Sequence, residues 1–471
     1  MPGLVWFRSD LRTSDHPALA AACSDHGPGV RAIFVATPEQ WDLHDWGPRK
    51  IAFVLGSVWV LARSLGNLGI PLEVVNTTTY AQAAVAVAEA ARRMHASVVY
   101  ASHETGVNEK RRDERTERAL LAHAIKFRPF HADTILTPGS IRTGDDKPYS
   151  VFTAFRRAAL LALSADPVSP VGGIGRVGAP VEPVALPEYL RRGLHSDASA
   201  GERWPPGEPA ALDRLRRFVR EGLGDYARAR DSLAIDGTSA LSPYLAVGCL
   251  STTRGLVEAI HADGGRLDRL SPGPAAWISE LLWREFYRHL FDSHPRLSKG
   301  RAFKVETERV PWRHDERGLA AWREGRTGVP VVDAGMRQLL ETGWMHNRAR
   351  MITAMFLTKD LLIDWREGER HFMRHLLDAD LAQNNSGWQW AASTGTDAAP
   401  YFRVFNPFTQ SRRFDPEGVY IRRWVPELRN VEGDAIHDPP PLVRAASGYP
   451  PAIVDHSEAR ARAIAAFRGL G

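Results

Sequence analysis

The sequence predicts two unlike domains in one chain: an α/β N-terminal domain with a parallel, Rossmann-like sheet and, beyond a long connector, an all-α C-terminal domain. Three observations carry this. Residues 4–7, 30–36, 72–76 and 98–102 are short runs rich in Val, Ala, Ile and aromatics, the pattern of buried strands. Residues 49–68, 80–94 and 108–126 lie between or after them with apolar positions at helical spacing. Strands alternating with helices build parallel βαβ units, whose crossovers are right-handed. From about 165 to 210 the pattern breaks into chain dense in Pro, Gly and Ser, as in Trp204-Pro205-Pro206-Gly207, which no regular element tolerates. Past that point helical spacing returns and strand alternation does not. The expected division is 1–135 for the α/β domain, 136–209 for the connector and 210–471 for the helical domain.

Composition narrows the function classes. Of 471 residues, 44% are hydrophobic and 24% charged, an ordinary globular balance that excludes long disorder and fibrous repeats. The longest apolar run, 51–62, is far short of the roughly 20 residues a bilayer needs. Met1 to Arg8 shows no basic segment ahead of an apolar stretch, so no export signal or membrane is expected and a cytoplasmic location is. Two cysteines, Cys23 and Cys249, are too few and too far apart for a disulfide scaffold or a Cys-based metal module. The formal charge of +5 is too small to name a polyanion partner by itself.

Two motifs are decoys. Gly173-Ile174-Gly175-Arg176-Val177-Gly178 spells the dinucleotide pattern G-x-G-x-x-G, but no strand delivers it and no helix receives it, so a linker is expected. His371 and His375 stand four apart in helical pattern, without a following Glu or a third ligand, so solvated histidines and no metal are expected.

The chemistry gathers in the helical domain; ten of the 14 tryptophans lie after residue 200. Glu280, Trp283, Arg284 and Tyr287 fall at i, i+3, i+4 and i+7 of one predicted helix, while Ile278, Leu282 and Phe286 supply another, apolar face. An acceptor, a flat ring and a cation on one stripe are the parts that hold an extruded base by its edge and face. The same spacing also suits a plain amphipathic helix with a solvated side. A basic cluster runs from Trp344 through His346, Asn347, Arg348 and Arg350 to Met351. The run from Asp378 to Trp390 packs two carboxylates, Asn384, Asn385 and two tryptophans into thirteen residues, too polar and too aromatic for a simple core helix. Trp344 and Trp424 are expected to be plain core.

These residues resemble the DNA photolyase/cryptochrome family. The resemblance rests on Asn384-Asn385-Ser386-Gly387-Trp388-Gln389-Trp390 continuing to Arg403, on Thr238-Ser239-Ala240-Leu241-Ser242-Pro243-Tyr244, on Trp283-Arg284-Glu285-Phe286-Tyr287, on Asp333-Ala334-Gly335-Met336-Arg337, and on the opening Val5-Trp6-Phe7-Arg8-Ser9-Asp10-Leu11-Arg12. It spans residue 4 to about 465 and is greatest to class I bacterial photolyases that repair cyclobutane pyrimidine dimers. It implies an antenna-binding α/β domain and a helical FAD-binding domain that acts on damaged DNA, double- or single-stranded. A monomer, associated with the nucleoid through DNA, is expected.

The resemblance also implies roles. Tyr226, Thr238, Ser239, Ala240, Leu241 and Ser242 match FAD phosphate and ribityl contacts, and small hydroxyls at a helix start suit a pyrophosphate. Trp277, Arg350, Asp378 and Asp380 match positions around the flavin rings. Asn384 matches the residue facing flavin N5, where a neutral amide avoids a competing negative charge and plant cryptochromes typically carry Asp. Glu280, Trp283, Met351 and Trp390 match the lesion pocket, with Arg230, Arg284, Tyr287, Asn347, Arg348, Arg403 and Gln410 in the DNA-contact surface around it. Trp388, Trp365 and Trp312 match a chain of electron hops to the surface. His44, Asn108, Glu109 and Lys299 match contacts to a 5,10-methenyltetrahydrofolate antenna, with a flavin or deazaflavin antenna as the other reading. The pocket histidines of six-four repair would fall at Asn347 and Met351, which disfavours that chemistry. Three rival functions stand beside dimer repair: cryptochrome-type blue-light signalling, a nicotinamide-dependent oxidoreductase and a non-enzymatic DNA-binding module.

Overall fold

The computed structural model describes residues 1–183 and 203–470; the part of the expected connector from 184 to 202 lies outside the described residues. The chain forms two compact units, Met1–Gly224 with Ser239–Pro295, and Asp225–Thr238 with Arg296–Gly471.

In the first unit, β1 (Gly3–Phe7) is wholly buried at the centre of a parallel sheet with β2 (Val30–Ala36), β3 (Leu72–Asn76), β4 (Val98–Ser102) and β5 (Lys126–Phe130), in the order β3-β2-β1-β4-β5. Its helices are α1 (Pro17–His26), α2 (Pro38–Leu43), α3 (Pro48–Asn67), α4 (Tyr80–Arg93) and α5 (Val107–Leu121). Pro at the first helical position opens α1, α2 and α3, where its missing N–H costs nothing. Leu4, Trp6, Ile33, Val87, Ala91, Val99 and Leu120 pack into one apolar core.

The predicted helix over 108–126 stops early. α5 ends at Leu121, Ala124 turns the chain with φ of 56°, and Lys126–Phe130 becomes strand β5. That strand escapes a reading by apolar alternation because Lys126, Arg128 and Pro129 interrupt it; at a sheet edge such residues are tolerated, and here they guard against stray pairing.

The glycine motif of the connector runs through irregular chain, with neither a strand before it nor a helix after it. Val177 and Val181 instead donate backbone hydrogen bonds to Leu68 and Gly66 at the end of α3. Gly69 sits at φ +82°, and a Cβ there would lie 2.5 Å from the Gly178 carbonyl carbon, so this close crossing requires glycine. The unit is completed by α6 (Phe152–Ala165), α7 (Glu208–Glu221), α8 (Ser242–Ala246), α9 (Thr252–Ala262) and α10 (Pro272–Ser293).

The second unit is helical throughout its described residues. Its principal helices are α11 (Glu316–Arg323), α12 (Pro330–Thr342), α13 (Asn347–Met355), α14 (Trp365–His375), α15 (Leu381–Ala392), α16 (Pro407–Phe414), α17 (Val419–Trp424), α18 (Pro441–Ser447) and α19 (His456–Arg468). α15 is held at three levels. Asp380 caps its start by accepting from the Gln383 N–H. Midway, Trp388 fills a notch in α14 at Gly368, where a Cβ would stand 2.1 Å from the indole, and Asn385 donates to Glu369 at 2.8 Å. At its end Lys359, fully buried on the π turn Phe356–Asp360, donates to the Ala392 carbonyl at 3.1 Å and Ser393 Oγ at 2.8 Å. Burial pushes that ammonium down to about 7.

The helix histidines on α14 are not solvated as expected. His371 is buried, its ring 5.4 Å from Trp322 and 4.2 Å from His375, because this face of α14 turns toward α11 rather than water. Trp344 and Trp424 are buried, as expected of core residues. Among the described residues no helix is long and apolar enough to cross a membrane, and no three His, Cys, Asp or Glu side chains gather as a metal site.

Burial holds the His371 imidazole neutral, its pKa pushed down to about 3. An unfolded imidazole takes a proton below about 6.5, so between those values the unfolded chain binds more protons and acid favours unfolding. The thermal midpoint should therefore fall as pH drops from 7 to 5, and fall less in His371→Phe, which removes up to about 2 kcal/mol of that pH dependence. Equal acid sensitivity in both proteins would show that His371 is not part of it.

Candidate functional site

Each unit assembles its own share of the expected site. In the second unit, Arg350 donates from one guanidinium nitrogen to Asp378 at 2.8 Å and from another to the Met345 carbonyl, so α13 fixes a charged pair just ahead of α15. Asn384, one turn into α15, donates its amide nitrogen to the Glu369 carbonyl at 2.9 Å. That engagement leaves the Asn384 carbonyl oxygen as the acceptor available to a ligand.

Among the described residues of this unit, eleven polar side-chain atoms are buried without a hydrogen-bond partner, among them Thr238 Oγ1, Asp378 Oδ1 and Trp388 Nε1 of the family motifs. A buried polar group left unsatisfied costs roughly 1–3 kcal/mol. Those three belong to segments expected to touch FAD, so a ligand bearing both donors and acceptors fits them. Tyr226, also expected at the cofactor, is buried under the Arg230 guanidinium at 5.5 Å.

Arg348 is braced rather than loose. It donates to Asp231 at 2.8 Å and lies 4.2 Å over the Phe414 ring, with Met351 Sδ 3.7 Å away. Asn347 and Arg403 are exposed, while Gln410 and Trp390 are half-buried, the latter edge-on to Phe405. Of the expected hop residues, Trp388 and Trp365 are buried and Trp312 is half-buried. They make no ring contacts with one another. Trp388 meets Trp322 and Phe372 at 5.9 and 4.9 Å, while Trp312 meets Phe467 at 6.0 Å. Gly368, Asp231 and Phe414, which set these side chains, carried no signal in sequence because each acts through a contact distant along the chain.

In the first unit, Ser239 to Ser242 turn into α8, with Ala240 at φ 47° and its carbonyl accepting from Trp204 Nε1 at 3.0 Å. Trp277 is buried against Phe218 and over Gly255, where a Cβ would stand 3.1 Å from the indole. Along α10, Glu280, Trp283 and Tyr287 are half-buried on one stripe, as expected.

Arg284 corrects the expected stripe. It is buried, and donates to the Asp133 carboxylate, the Asp133 carbonyl at 2.6 Å and Thr252 Oγ1 at 3.1 Å. One position beyond Trp283 is about 100° around the helix, and Asp133 draws the guanidinium inward, so it acts as an internal strut rather than a DNA contact. Arg288, a turn later, reaches the other Asp133 oxygen at 3.1 Å.

The expected antenna residues of this unit converge. His44 Nε2 accepts from the amides of Asn108 at 3.0 Å and Gln40 at 3.1 Å, which leaves the proton on Nδ1, 3.8 Å from the Glu109 carboxylate. Tyr80 donates to Glu109 at 3.2 Å. Burial holds the His44 pKa down against the pull of Glu109. Lys299, the fourth expected residue, belongs to the second unit, in the short turn Leu297–Lys299. Nearby, at the C-terminal ends of β1 and β2, a partly open cleft is lined by Trp6, Arg8, Trp41, Trp46, Lys50 and Arg112 among others. The Arg8 and Arg112 guanidinium groups, which share Glu104 and Asp113, lie 4.6 and 4.9 Å from the Trp6 ring, and Trp6 Nε1 is buried without a hydrogen-bond partner.

Comparison with known proteins agrees with this arrangement. The family model described as DNA photolyase matches residues 3–171, and that described as the FAD binding domain of DNA photolyase matches 277–469. The deoxyribodipyrimidine photo-lyase of Escherichia coli is 44% identical over 98% of both chains. Among solved structures, a class III photolyase from Agrobacterium tumefaciens superposes with a TM-score of 0.87 at 34% identity, covering 100% of this chain and 97% of its own. An archaeal photolyase from Sulfolobus tokodaii, solved with two FAD molecules, gives 0.82 at 29% identity over 100% of both chains. Two family models, full-length kinship and the paired buried groups around α15 together settle the lineage: the chain belongs to the DNA photolyase family.

Proposed function

We propose that this chain uses light to split cyclobutane pyrimidine dimers in DNA, with FAD as the electron donor. The observation that supports it most directly is that three buried atoms of the family motifs, Thr238 Oγ1, Asp378 Oδ1 and Trp388 Nε1, lack a hydrogen-bond partner, while Asn384, in the same unit, spends its amide nitrogen on the Glu369 carbonyl. When bound, reduced FAD supplies the electron that opens the cyclobutane ring and takes it back afterwards.

The protein's own part is placement. Tyr226, Thr238, Ser239, Ala240, Leu241 and Ser242 hold the phosphate and ribityl side; Trp277, Arg350, Asp378 and Asp380 hold the flavin rings. Asn384 accepts a hydrogen bond without adding a negative charge. Glu280 accepts from the polar edge of a flipped base, and Trp283, Met351 and Trp390 wall it in. Arg230, Arg348, Arg403, Asn347, Tyr287 and Gln410 position the DNA backbone, which carries most of the affinity and none of the lesion preference. Signalling of the cryptochrome type fits less well, because Asn replaces the Asp of the plant proteins at 384. The three-part division at 135 and 209, a monomeric state, activity on double- and single-stranded DNA and a cytoplasmic, nucleoid-associated location belong to the same reading.

The antenna is 5,10-methenyltetrahydrofolate, held by His44, Asn108, Glu109 and Lys299. A second reading, a flavin or deazaflavin, is favoured by the indole-walled cleft and the buried Trp6 Nε1 that lacks a hydrogen-bond partner. Glu109→Ala separates them: the folate absorption should be lost from the purified protein while FAD stays stoichiometric. An antenna that survives Glu109→Ala would place the chromophore in the cleft.

The decisive test is loss of dimers from ultraviolet-irradiated DNA under blue light by the reduced holoprotein, with no loss in the dark. Trp388→Phe should repair normally once its flavin is reduced chemically, yet photoreduce at least tenfold more slowly with an external reductant, since phenylalanine keeps most of the volume but not the oxidisable indole. Photoreduction at the native rate would remove Trp388 from the electron path.

A further inference from the structure

Phe152, the first residue of α6, lies outside every motif that the family resemblance uses. Its ring is stacked on Trp283 of α10 with centroids 3.6 Å apart and planes 12° from parallel. Phe152 itself is buried, and Trp283 is half-buried, so one indole face is committed to Phe152 and the exposed surface belongs to the other side.

The contact is part of a seam, not an isolated collision. Arg156, one turn after Phe152 on α6, donates from Nε to Ser279 Oγ of α10 at 2.8 Å, one turn before Trp283. Phe155 packs further along α10, on Phe286 at 5.3 Å and on His289 at 5.1 Å. Phe152 also meets the edge of Phe286, and Tyr287 leans on Trp283 at 5.5 Å from the following turn. An indole gripped in this way has little freedom about χ1 and χ2. A flipped base then stacks on a surface whose ordering cost is already met, which is how preorganisation adds affinity.

We propose that Phe152 is a positioning residue for lesion recognition, backing Trp283 so that a single indole face is presented to the flipped dimer. The inference rests on the reading of Trp283 as the stacking wall. It assigns a share of damage preference to the helix that follows the connector's start, and none of the phosphate affinity.

The test uses FAD-bound protein and two duplex oligonucleotides of one sequence, with and without a single thymine dimer, and reads the ratio of dissociation constants. Phe152→Ala should lower that ratio about tenfold, a good part of one base-stacking interaction, while the undamaged-DNA affinity and FAD content stay within about twofold. Phe152→Tyr, which keeps the plane, should restore the ratio; Phe152→Leu, which keeps most of the volume without the plane, should not. The near-ultraviolet circular dichroism of the coupled rings should change in Phe152→Leu and be retained in Phe152→Tyr. If Phe152→Ala fails to hold FAD, Phe152→Leu decides: a native ratio overturns the proposal and a lowered one supports it. Equal weakening on both DNAs also overturns it. Trp283→Ala separates the two levels of argument. If it retains the damage preference, the stacking wall itself is misassigned; if it loses the preference while Phe152→Leu keeps it, only the role of Phe152 falls.

Discussion

The seating of α15 on α14 is the constraint on which the second unit depends. An indole enters a helix only where the facing residue lacks a Cβ, and Gly368 provides that notch for Trp388. Once Trp388 is seated, the azimuth of α15 is set, since neighbouring residues differ by about 100° around a helix. Asn384, one turn earlier, then faces the Glu369 carbonyl, and Asn385 meets the Glu369 carboxylate. Gln389 extends the line by donating to Asn385 at 2.8 Å and to the Arg301 carbonyl at 3.2 Å. A network this fully paired in a low-dielectric interior specifies one arrangement, because any slip would strand several groups at once.

The first unit solves a comparable problem with buried charge. Asp133 takes Arg284 and Arg288 together, and Glu285, wholly buried, accepts from the Ile135 and Leu136 amides. Burial pushes the Glu285 carboxyl up to about 7 against these favourable contacts. The effect is to lock the rotation of α10, which leaves Glu280, Trp283 and Tyr287 on its partly open side. Leaving one member of such a set unpaired would cost several kcal/mol, so the orientation of the stripe is well enforced.

Function here is mostly a matter of holding still. The described residues contain no cluster arranged for metal chemistry, and the side chains expected at the flavin are neutral or already paired. What the fold supplies is fixed acceptors, flat rings with one face covered, and braced cations such as Arg348. Each of these lowers the ordering cost of binding instead of performing a chemical step.

Much of this was legible in the amino-acid order. Four of the five strands of the sheet, the parallel βαβ plan and the helical second half follow from periodicity, because burial on a sheet or a helix repeats at two or 3.6 residues whatever the partner. The irregular course of the glycine motif also follows from its missing flanks. Periodicity is blind to edges, so β5 carries no strand pattern and the expected helix runs on into its first residue, Lys126; it also treats a histidine as polar, which places His371 in water. The resemblance to the family supplied candidate positions and not their surroundings. Only the tertiary structure decided that Arg284 turns inward to Asp133, that Asn384 keeps its oxygen as the acceptor, and that Trp283 has one face covered. Each depends on a residue 15 to 151 positions away in the chain. Contacts at such separations are set by how whole elements pack, and no local pattern of residues encodes them.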